Sequence, residues 1–338
     1  MAMSELLGRL LAETPIAPAA PYVMLAAGLA VLAFCGNWLV AGSVQLARFF
    51  RVSAFVVGLT VVAYGTSMPE MFISVGAALG GSPEIALGNV IGSNIANIGA
   101  ILAIVALIAT IPFRTRALLP DISAMLAATA LLFAFGIDGR ISRAEGIAFA
   151  ALLAAYTAWT LIRARKRPAA AGAGGAGAPG AEPPSMRPLA AAALVLASLA
   201  GMHVGAGMLV DGAREMALQW GVSERVIAVS IVAVGTSAPE LAASLAAAFR
   251  KEAELSIGNI IGSNIFNIAG VLGASAIARP LATGPRALFA GDMAWLGGIS
   301  VLLLLAMLPM SKGKISRLEG GILLAVFAAY MAVLYRGG

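Results

Sequence analysis

Two carboxylates in otherwise apolar stretches are the residues that most clearly indicate chemistry in this chain. Glu70 ends a polar hexapeptide at 65–70 (GTSMPE), and Glu240 ends a near copy at 235–240 (GTSAPE). In each copy two hydroxyl side chains precede the glutamate by three and four residues, so a helix would place all three on one face. Oxygen atoms gathered around a carboxylate favour a cation site.

A second polar block follows each hexapeptide at the same distance, at 88–97 (GNVIGSNIAN) and at 258–267 (GNIIGSNIFN). Aligned without a gap, residues 56–106 and 226–276 are identical at 23 of 51 positions, and the identities cluster on the polar blocks. The serine and the last asparagine of each block are four residues apart and so share a helix face. The duplicated oxygen-bearing side chains are Thr66, Ser67, Glu70, Ser93 and Asn97 in the first copy and Thr236, Ser237, Glu240, Ser263 and Asn267 in the second.

A proline precedes each glutamate and should distort its helix. Pro69 has no amide hydrogen and clashes with the carbonyl four residues earlier, so the helix should kink or open near Gly65. This distortion would free the carbonyl of Gly65 first and could also present that of Ala63. Backbone oxygens would then join the side-chain oxygens at the site.

The composition is that of an integral membrane protein. The 338 residues are 60% hydrophobic and 11% charged, with a mean hydropathy of +0.95, whereas a soluble domain carries roughly 25% charged residues. Apolar runs long enough to cross a bilayer recur, and the alternation of a membrane β-barrel strand is absent. The predicted fold is therefore all-α within a lipid bilayer. The net charge of +6 does not indicate nucleic-acid binding, because the basic residues lie in short loops.

Hydropathy predicts ten transmembrane helices in two halves of five. A tail (1–21) precedes the first half (22–163), and a low-complexity, flexible linker (164–188) precedes the second half (189–338). The predicted helices are at 22–47, 53–78, 85–110, 117–137, 143–163, 189–214, 222–248, 254–277, 287–308 and 317–335.

The distribution of Lys and Arg predicts the orientation of these helices. With the linker in the cytoplasm and both termini outside, cytoplasmic segments hold 14 of the 22 basic residues, as the positive-inside rule requires. Because five is odd, the second half enters the membrane inverted. A second pair of similar segments, 139–146 and 313–320, lies at the start of the fifth predicted helix of each half, which agrees with the same alignment of the two halves. Inverted repeats are typical of secondary transporters, here expected in the plasma (cytoplasmic) membrane.

The predicted helices that carry the two glutamates and the polar blocks contain no Lys or Arg near these acids. An unpaired carboxylate at membrane depth costs about 2.5–3.5 kcal/mol on insertion scales. A bound cation, a proton or water must therefore meet the charge. Carboxylate, hydroxyl, amide and carbonyl oxygens suit hard cations such as Ca²⁺ and Na⁺. Cys35 is the only cysteine, so neither an intrachain disulfide nor a thiolate cluster is expected, and no cofactor is predicted.

The paired GTS-x-PE and GN-x-IGSN-x-x-N blocks resemble the two α-repeats of the sodium/calcium exchangers, in the Ca²⁺:cation antiporter superfamily. The resemblance implies a cluster of cation sites among the second, third, seventh and eighth helices, with the first and sixth as a sliding gate. Some prokaryotic relatives have Asp where this chain has Asn267, which bears on ion stoichiometry and coupling. The implied ligands are Glu70 and Glu240, shared between ions, the side chains of Thr66, Ser67, Thr236, Ser237, Ser93, Asn97, Ser263 and Asn267, and the carbonyls of Ala63 and Ala233.

The expected function is Na⁺/Ca²⁺ antiport that extrudes Ca²⁺ by alternating access. Alternatives with the same glutamates are H⁺/Ca²⁺ exchange and K⁺-dependent Na⁺/Ca²⁺ exchange. A cation channel is disfavoured by the inverted repeat. An intramembrane enzyme with Ser67 or Ser93 as nucleophile would lack a nearby general base, so no enzyme is predicted. The predicted partners are the two cations and the bilayer, with no protein partner. Asp121 and Asp292 are expected to be interfacial.

Overall fold

A computed structural model describes residues 19–113, 115–166, 183–221, 233–284, 286–307 and 313–337. Most of the predicted tail, residues 167–182 of the predicted linker and the first part of the predicted helix at 222–248 lie outside these residues. The flexibility of the linker therefore stays a prediction.

The described chain is almost entirely helical. Eight of its helices are long and apolar enough to cross a membrane, and α2 is a ninth span if its bent halves count together; α7 is described only from residue 233. This agrees with ten predicted helices, and the main difference is that α6 ends at Gln219 rather than at 214. The helices are α1 (Ala20–Phe50), α2 (Ala54–Thr66 and Met68–Leu79), α3 (Pro83–Ile108), α4 (Thr115–Gly136), α5 (Arg143–Lys166), α6 (Pro188–Gln219), α7 (Ala233–Thr236 and Ala238–Phe249), α8 (Ala253–Ala278), α9 (Arg286–Ala306) and α10 (Arg317–Gly337).

Four short strands, which the sequence did not predict, join the two halves of the molecule. Strand β1 (Ile111–Pro112) follows α3 and pairs antiparallel with β4 (Lys314–Ile315), which precedes α10. Strand β2 (Arg140–Ile141) precedes α5 and pairs antiparallel with β3 (Leu281–Ala282), which follows α8. Each pair therefore connects the end of a repeat's third helix with the start of the other repeat's fifth helix.

This pairing supports the inverted topology. Within one repeat the loop after the third helix and the loop before the fifth lie at opposite ends of the fourth helix. The pairing of β1 with β4 brings the loop after α3, in the first half, beside the loop before α10, in the second half. Corresponding loops therefore lie at opposite ends of the helical bundle, as two inverted copies require.

Helices α3 and α8 form the centre of the molecule. In the most apolar stretch of α8, 89% of the residues are buried, and in that of α3, 67%, whereas the same measure for α5 is 22%. Glycines let α8 meet the first part of α2 backbone to backbone. A Cβ on Gly58 would lie 2.4 Å from the carbonyl oxygen of Leu255, and a Cβ on Gly262 would lie 2.3 Å from that of Leu59.

Helices α1 and α6 pack along each other through small residues. A Cβ on Gly28 would lie 2.7 Å from the carbonyl oxygen of Gly205, and a Cβ on Gly212 would lie 2.7 Å from that of Pro21. Small residues let two membrane helices approach each other closely, and the role of these two helices as a sliding gate stays a prediction.

Candidate cation site

Both glutamates lie where a transmembrane helix is broken. The two parts of α2 meet at Ser67, which has φ −87° and ψ 9°, and are bent by 44°. Ser237 has nearly the same backbone angles, −90° and 9°. The break predicted near Gly65 thus occurs two residues later, directly before the proline segment. It places Glu70 and Glu240 in the first turn of a new helix, where the helix dipole stabilises negative charge.

The helices that carry the second polar blocks are distorted at the same depth in both copies. Each changes from α to π geometry at the predicted ligands, over Asn97–Leu102 in α3 and over Asn267–Leu272 in α8. A π segment leaves the regular hydrogen-bond ladder, and such segments are frequent at functional sites. The distortion therefore begins at the asparagines that the sequence had singled out.

The structure brings the two glutamates together in the centre of the protein. Each is 1% exposed, and their carboxylates are close enough to interact electrostatically. The Ser67 hydroxyl donates a hydrogen bond of 2.7 Å to Oε1 of Glu240. Among the described residues, Oε2 of Glu240 and both carboxylate oxygens of Glu70 have no hydrogen-bond donor. These three oxygens are available to a cation.

Backbone and hydroxyl oxygens from both halves meet beside the carboxylates. The carbonyl oxygen of Ala63 accepts hydrogen bonds from Thr66 Oγ1 at 3.3 Å and from Ser263 Oγ at 3.5 Å. Ser263 belongs to the second repeat, so this contact links α8 to the break in α2. Three of the predicted ligands, Ala63, Thr66 and Ser263, are thus brought together.

A group of buried amides lies between α3 and α8. The Nδ2 atom of Asn267 is 3.5 Å from Oδ1 of Asn94, and Oδ1 of Asn267 has no hydrogen-bond donor within the described chain. Neither amide atom of Asn97 has a described hydrogen-bond partner. Buried amide oxygens of this kind can coordinate a hard cation without adding charge.

The remaining four predicted ligands are Ser93, Ser237, Thr236 and Ala233. Ser93 is 5% exposed and Ser237 is 4% exposed. The Ser237 hydroxyl interacts with Glu70, but it forms no hydrogen bond of good geometry within the described chain. Thr236 is half-buried. Ala233 begins the described part of α7, and the role of its carbonyl stays a prediction.

The motif also holds a set of supporting residues that the sequence reasoning did not select. Asn89 donates from Nδ2 to the Glu70 carbonyl oxygen at 3.4 Å and to Ser74 Oγ at 2.9 Å. The second repeat copies both bonds, from Asn259 to the Glu240 carbonyl at 3.4 Å and to Ser244 at 3.0 Å. The sequence does contain an indication of this role, because the asparagine and the serine are identical in the two copies. These bonds fix the helix turns that present the glutamates.

Asn259 makes one further contact across the halves. Its Oδ1 atom lies 3.3 Å from the Thr66 hydroxyl, which can donate its single hydrogen either to this oxygen or to the Ala63 carbonyl oxygen. One asparagine therefore orients a predicted ligand of the first repeat and the backbone of the second repeat's glutamate. Residues that hold metal ligands in place commonly have this supporting role.

Neither glutamate has an ion-pair partner among the described residues, and the same residues contain no cluster of three or more His, Cys, Asp or Glu side chains. The candidate site therefore combines two acids with neutral oxygens. A divalent cation would balance the two carboxylates if both are ionised, whereas a set of Na⁺ ions could occupy the same oxygens. Such a site suits hard cations.

Asp121 is buried within the protein, and its expected position at the membrane interface stays a prediction. Its side chain is 0% exposed and accepts hydrogen bonds of 2.8 Å from the Tyr156 hydroxyl and 2.7 Å from Arg163 Nη2. An aspartate near a helix end can be buried in this way because a neighbouring helix supplies a cation. This ion pair lies away from the cation site.

The sequence profile of a protein family described as sodium/calcium exchanger protein matches residues 20–162 and 190–336 of the chain. The two matched segments lie on either side of the predicted linker. They contain every residue of the candidate site.

Individual relatives match the chain over nearly its whole length. The putative antiporter CaxA of Alkalimonas amylolytica is 33% identical over 308 residues, covering 91% of this chain and 96% of the relative. The sodium/calcium exchanger MaX1 of Methanosarcina acetivorans is 30% identical over 346 residues, covering 93% and 98%. A solved structure of the sodium-calcium exchanger NCX_Mj, soaked with 10 mM Na⁺ and 10 mM Sr²⁺, has a TM-score of 0.79 at 35% identity, covering 93% of this chain and 98% of that chain.

Proposed function

The chain belongs to the sodium/calcium exchanger family, and from that premise we propose that it extrudes Ca²⁺ in exchange for Na⁺ through one shared oxygen-ligand site. The transported ions are substrates, and no enzymatic reaction is part of this proposal. The proposed ligands are the side-chain and carbonyl oxygens that the sequence indicated, with Glu70 and Glu240 at the centre.

The meeting of the two carboxylates supports this proposal most directly. Two acids from two inverted copies of one motif are buried at 1% exposure each, and no described cation pairs with either. Leaving two such charges unpaired in a membrane protein is costly. In the proposed site, neutral oxygens of Ala63, Ser263 and Asn267 complete the coordination of a cation that balances the two acids.

The same electrostatics give a reason for obligatory exchange. A site that has released its cations keeps two carboxylates that repel each other. Reorienting that doubly negative site through the membrane interior would cost more than reorienting it with Ca²⁺ or Na⁺ bound. The empty transporter therefore changes its facing too slowly to leak, and each outward passage of Ca²⁺ requires a return passage of Na⁺.

Orientation and charge balance determine how the proposed cycle couples to the membrane potential. We expect the linker and the loops after α1, α3, α7 and α9 to face the cytoplasm, because most Lys and Arg residues lie there, with both termini outside the plasma membrane. With three Na⁺ per Ca²⁺, the ratio that the family suggests, each cycle moves one net charge. Voltage would then contribute about 2.3 kcal/mol per 100 mV.

Uptake of ⁴⁵Ca²⁺ into proteoliposomes tests the proposal. Vesicles are loaded with Na⁺ and diluted into Na⁺-free buffer, with Glu70→Gln and Glu240→Gln beside the parent protein. Uptake should require internal Na⁺ and fall to background in both variants, because each loses one of the two charges that balance Ca²⁺.

The matched control is Glu84→Gln, the same substitution at an exposed residue in the first turn of α3. It should leave uptake within about twofold of the parent, as surface substitutions usually do. Uptake driven by a pH gradient instead of Na⁺ would establish H⁺/Ca²⁺ exchange, and uptake that needs both Na⁺ and K⁺ would establish the K⁺-dependent alternative. No Ca²⁺ flux under any of these gradients, in folded protein, would refute the assignment.

A further inference from the structure

A cleft of about 520 Å³ lies outside the cation site, between the start of α2, the start of α4 and the end of α5. Its inner wall includes Phe55 and Val56, which are buried. Its outer wall includes Trp159 and Ile162, which are 42% and 52% exposed. The cleft thus opens toward the periphery of the helical bundle, where a membrane protein meets lipid.

The polar side of this α2–α4–α5 cleft has a net positive charge. Arg163 and Lys166 both line it. Arg163 is held in place, because its Nη2 atom is 2.7 Å from buried Asp121 and its guanidinium lies 4.4 Å from the centre of the Trp159 ring. Lys166 is exposed and has no ion-pair partner in the described part of the chain. One acid against two bases leaves one positive charge for a ligand to neutralise.

The two sides of the cleft together specify an amphipathic ligand. A negative group would bind at Arg163 and Lys166, at the end of α5, while an apolar chain would lie against Trp159 and Ile162 toward the bilayer. Tryptophan is enriched at membrane interfaces, and basic pockets between transmembrane helices accept lipid headgroups. A soluble anion would satisfy only the first of these two contacts.

We propose that the α2–α4–α5 cleft binds one anionic phospholipid from the leaflet at that end of the bundle, with its phosphate at Lys166 and Arg163. The duplication suggests that this site is one-sided. Aligned through the echo of 139–146 in 313–320, the second half has Val333 and Gly337 where the first has Trp159 and Arg163. At these positions the second repeat therefore has neither the aromatic ring nor the cation that stacks on it.

Native mass spectrometry of the purified full chain with added lipid tests the proposal. Phosphatidylglycerol and phosphatidylcholine of the same acyl chains are titrated into the parent protein, Lys166→Gln and Arg165→Gln. Arg165 is exposed and adjacent in sequence but does not line the cleft, so its substitution removes the same charge without changing the proposed contact. Both positions lie at a helix end, where a polar substitution does not disturb the core.

Lys166→Gln should weaken phosphatidylglycerol binding about fivefold, the effect of one basic residue near an anionic lipid, and Arg165→Gln should change it less than twofold. Phosphatidylcholine should bind more weakly to the parent than phosphatidylglycerol does. Equal losses in the two variants would overturn the proposal in favour of a diffuse surface charge. Equal affinity for both lipids would also overturn it. Displacement of the lipid by millimolar inorganic phosphate would assign the cleft to a free anion instead.

Discussion

The two halves carry nearly the same motif, yet their glutamates are held differently. Glu240 accepts a 2.7 Å hydrogen bond from Ser67 of the first half, whereas the Ser237 hydroxyl is close to Glu70 but forms no hydrogen bond of good geometry with it. Thr66 is 1% exposed, whereas Thr236 is half-buried. The sequence duplication therefore does not produce a symmetric site.

This difference indicates how an inverted repeat can transport. If the two halves exchange their conformations, the site that was open to one side of the membrane becomes open to the other side. The structure then represents one of two related states. In the other state, Ser237 would donate to Glu70, and Ser67 would release Glu240.

Removing the two serines one at a time gives the sharpest test of this comparison. Ser67→Ala should disfavour the conformation described here, and Ser237→Ala should favour it, because a hydrogen bond to a charged group contributes about 1.5–3 kcal/mol. A shift of that size changes the population ratio by about 10- to 150-fold. The apparent Ca²⁺ affinity at each membrane face follows the population that is open to it.

The measurement is the half-saturating Ca²⁺ concentration on each side, in right-side-out and inside-out vesicles. The ratio of the two values should move in opposite directions in the two variants. Ser275→Ala is the control, because the Ser275 hydroxyl bonds within α8, to the Val271 carbonyl, and has no other hydrogen bond among the described residues. Shifts of the same sign in both serine variants would mean that the asymmetry has no part in the conformational change.

Much of the architecture could be predicted because the bilayer imposes simple rules. Apolar runs and loop charges gave the helices and the inversion, and Pro69 gave the break in α2. The π segments could not be predicted, because no residue preference distinguishes a π turn from an α turn in an apolar helix. The burial of Asp121 depends on Arg163 of another helix, and the role of Asn259 depends on Thr66 of another repeat. Such contacts require the packing itself.

A second test perturbs the close packing of α2 against α8, which joins the two halves. Gly262→Ala would place a methyl group 2.3 Å from the Leu59 carbonyl oxygen, and no side-chain rotation can relieve a clash with a backbone atom. We expect a loss of about 1–3 kcal/mol of stability, seen as a lower midpoint of thermal unfolding in detergent. Gly298→Ala, in α9, meets no atom within 4 Å and should stabilise by up to about 1 kcal/mol. Equal midpoints in the two variants would contradict the described crossing of α2 and α8.

The supporting asparagines give a smaller contrast between the halves. Asn89 and Asn259 make the same two bonds in their own repeats, but Oδ1 of Asn259 also lies 3.3 Å from the Thr66 hydroxyl, which can donate to it. Asn259→Ala should therefore reduce Na⁺-dependent Ca²⁺ uptake more than Asn89→Ala, by about 2- to 10-fold, the effect of one further hydrogen bond of about 0.5–1.5 kcal/mol. Initial rates at subsaturating Ca²⁺ measure this difference. Equal rates would mean that the contact between Thr66 and Asn259 has no influence on transport.

The smallest effect should come from adding a third carboxyl group to the cation site, at Asn267. Asn267 is an uncharged amide whose Oδ1 atom has no hydrogen-bond donor in the described chain. Asn267→Asp would add a carboxyl group that must lose its proton before it can coordinate a cation, whereas the amide does not titrate. Ca²⁺ uptake by the variant should therefore fall more steeply than that of the parent when the pH is lowered from 8 to 6, by a few-fold. Asn97→Asp makes the same change in the first repeat. If the two variants respond differently to pH, the asymmetry of the glutamates extends to the amides, whereas identical profiles would confine it to the glutamates and their serines.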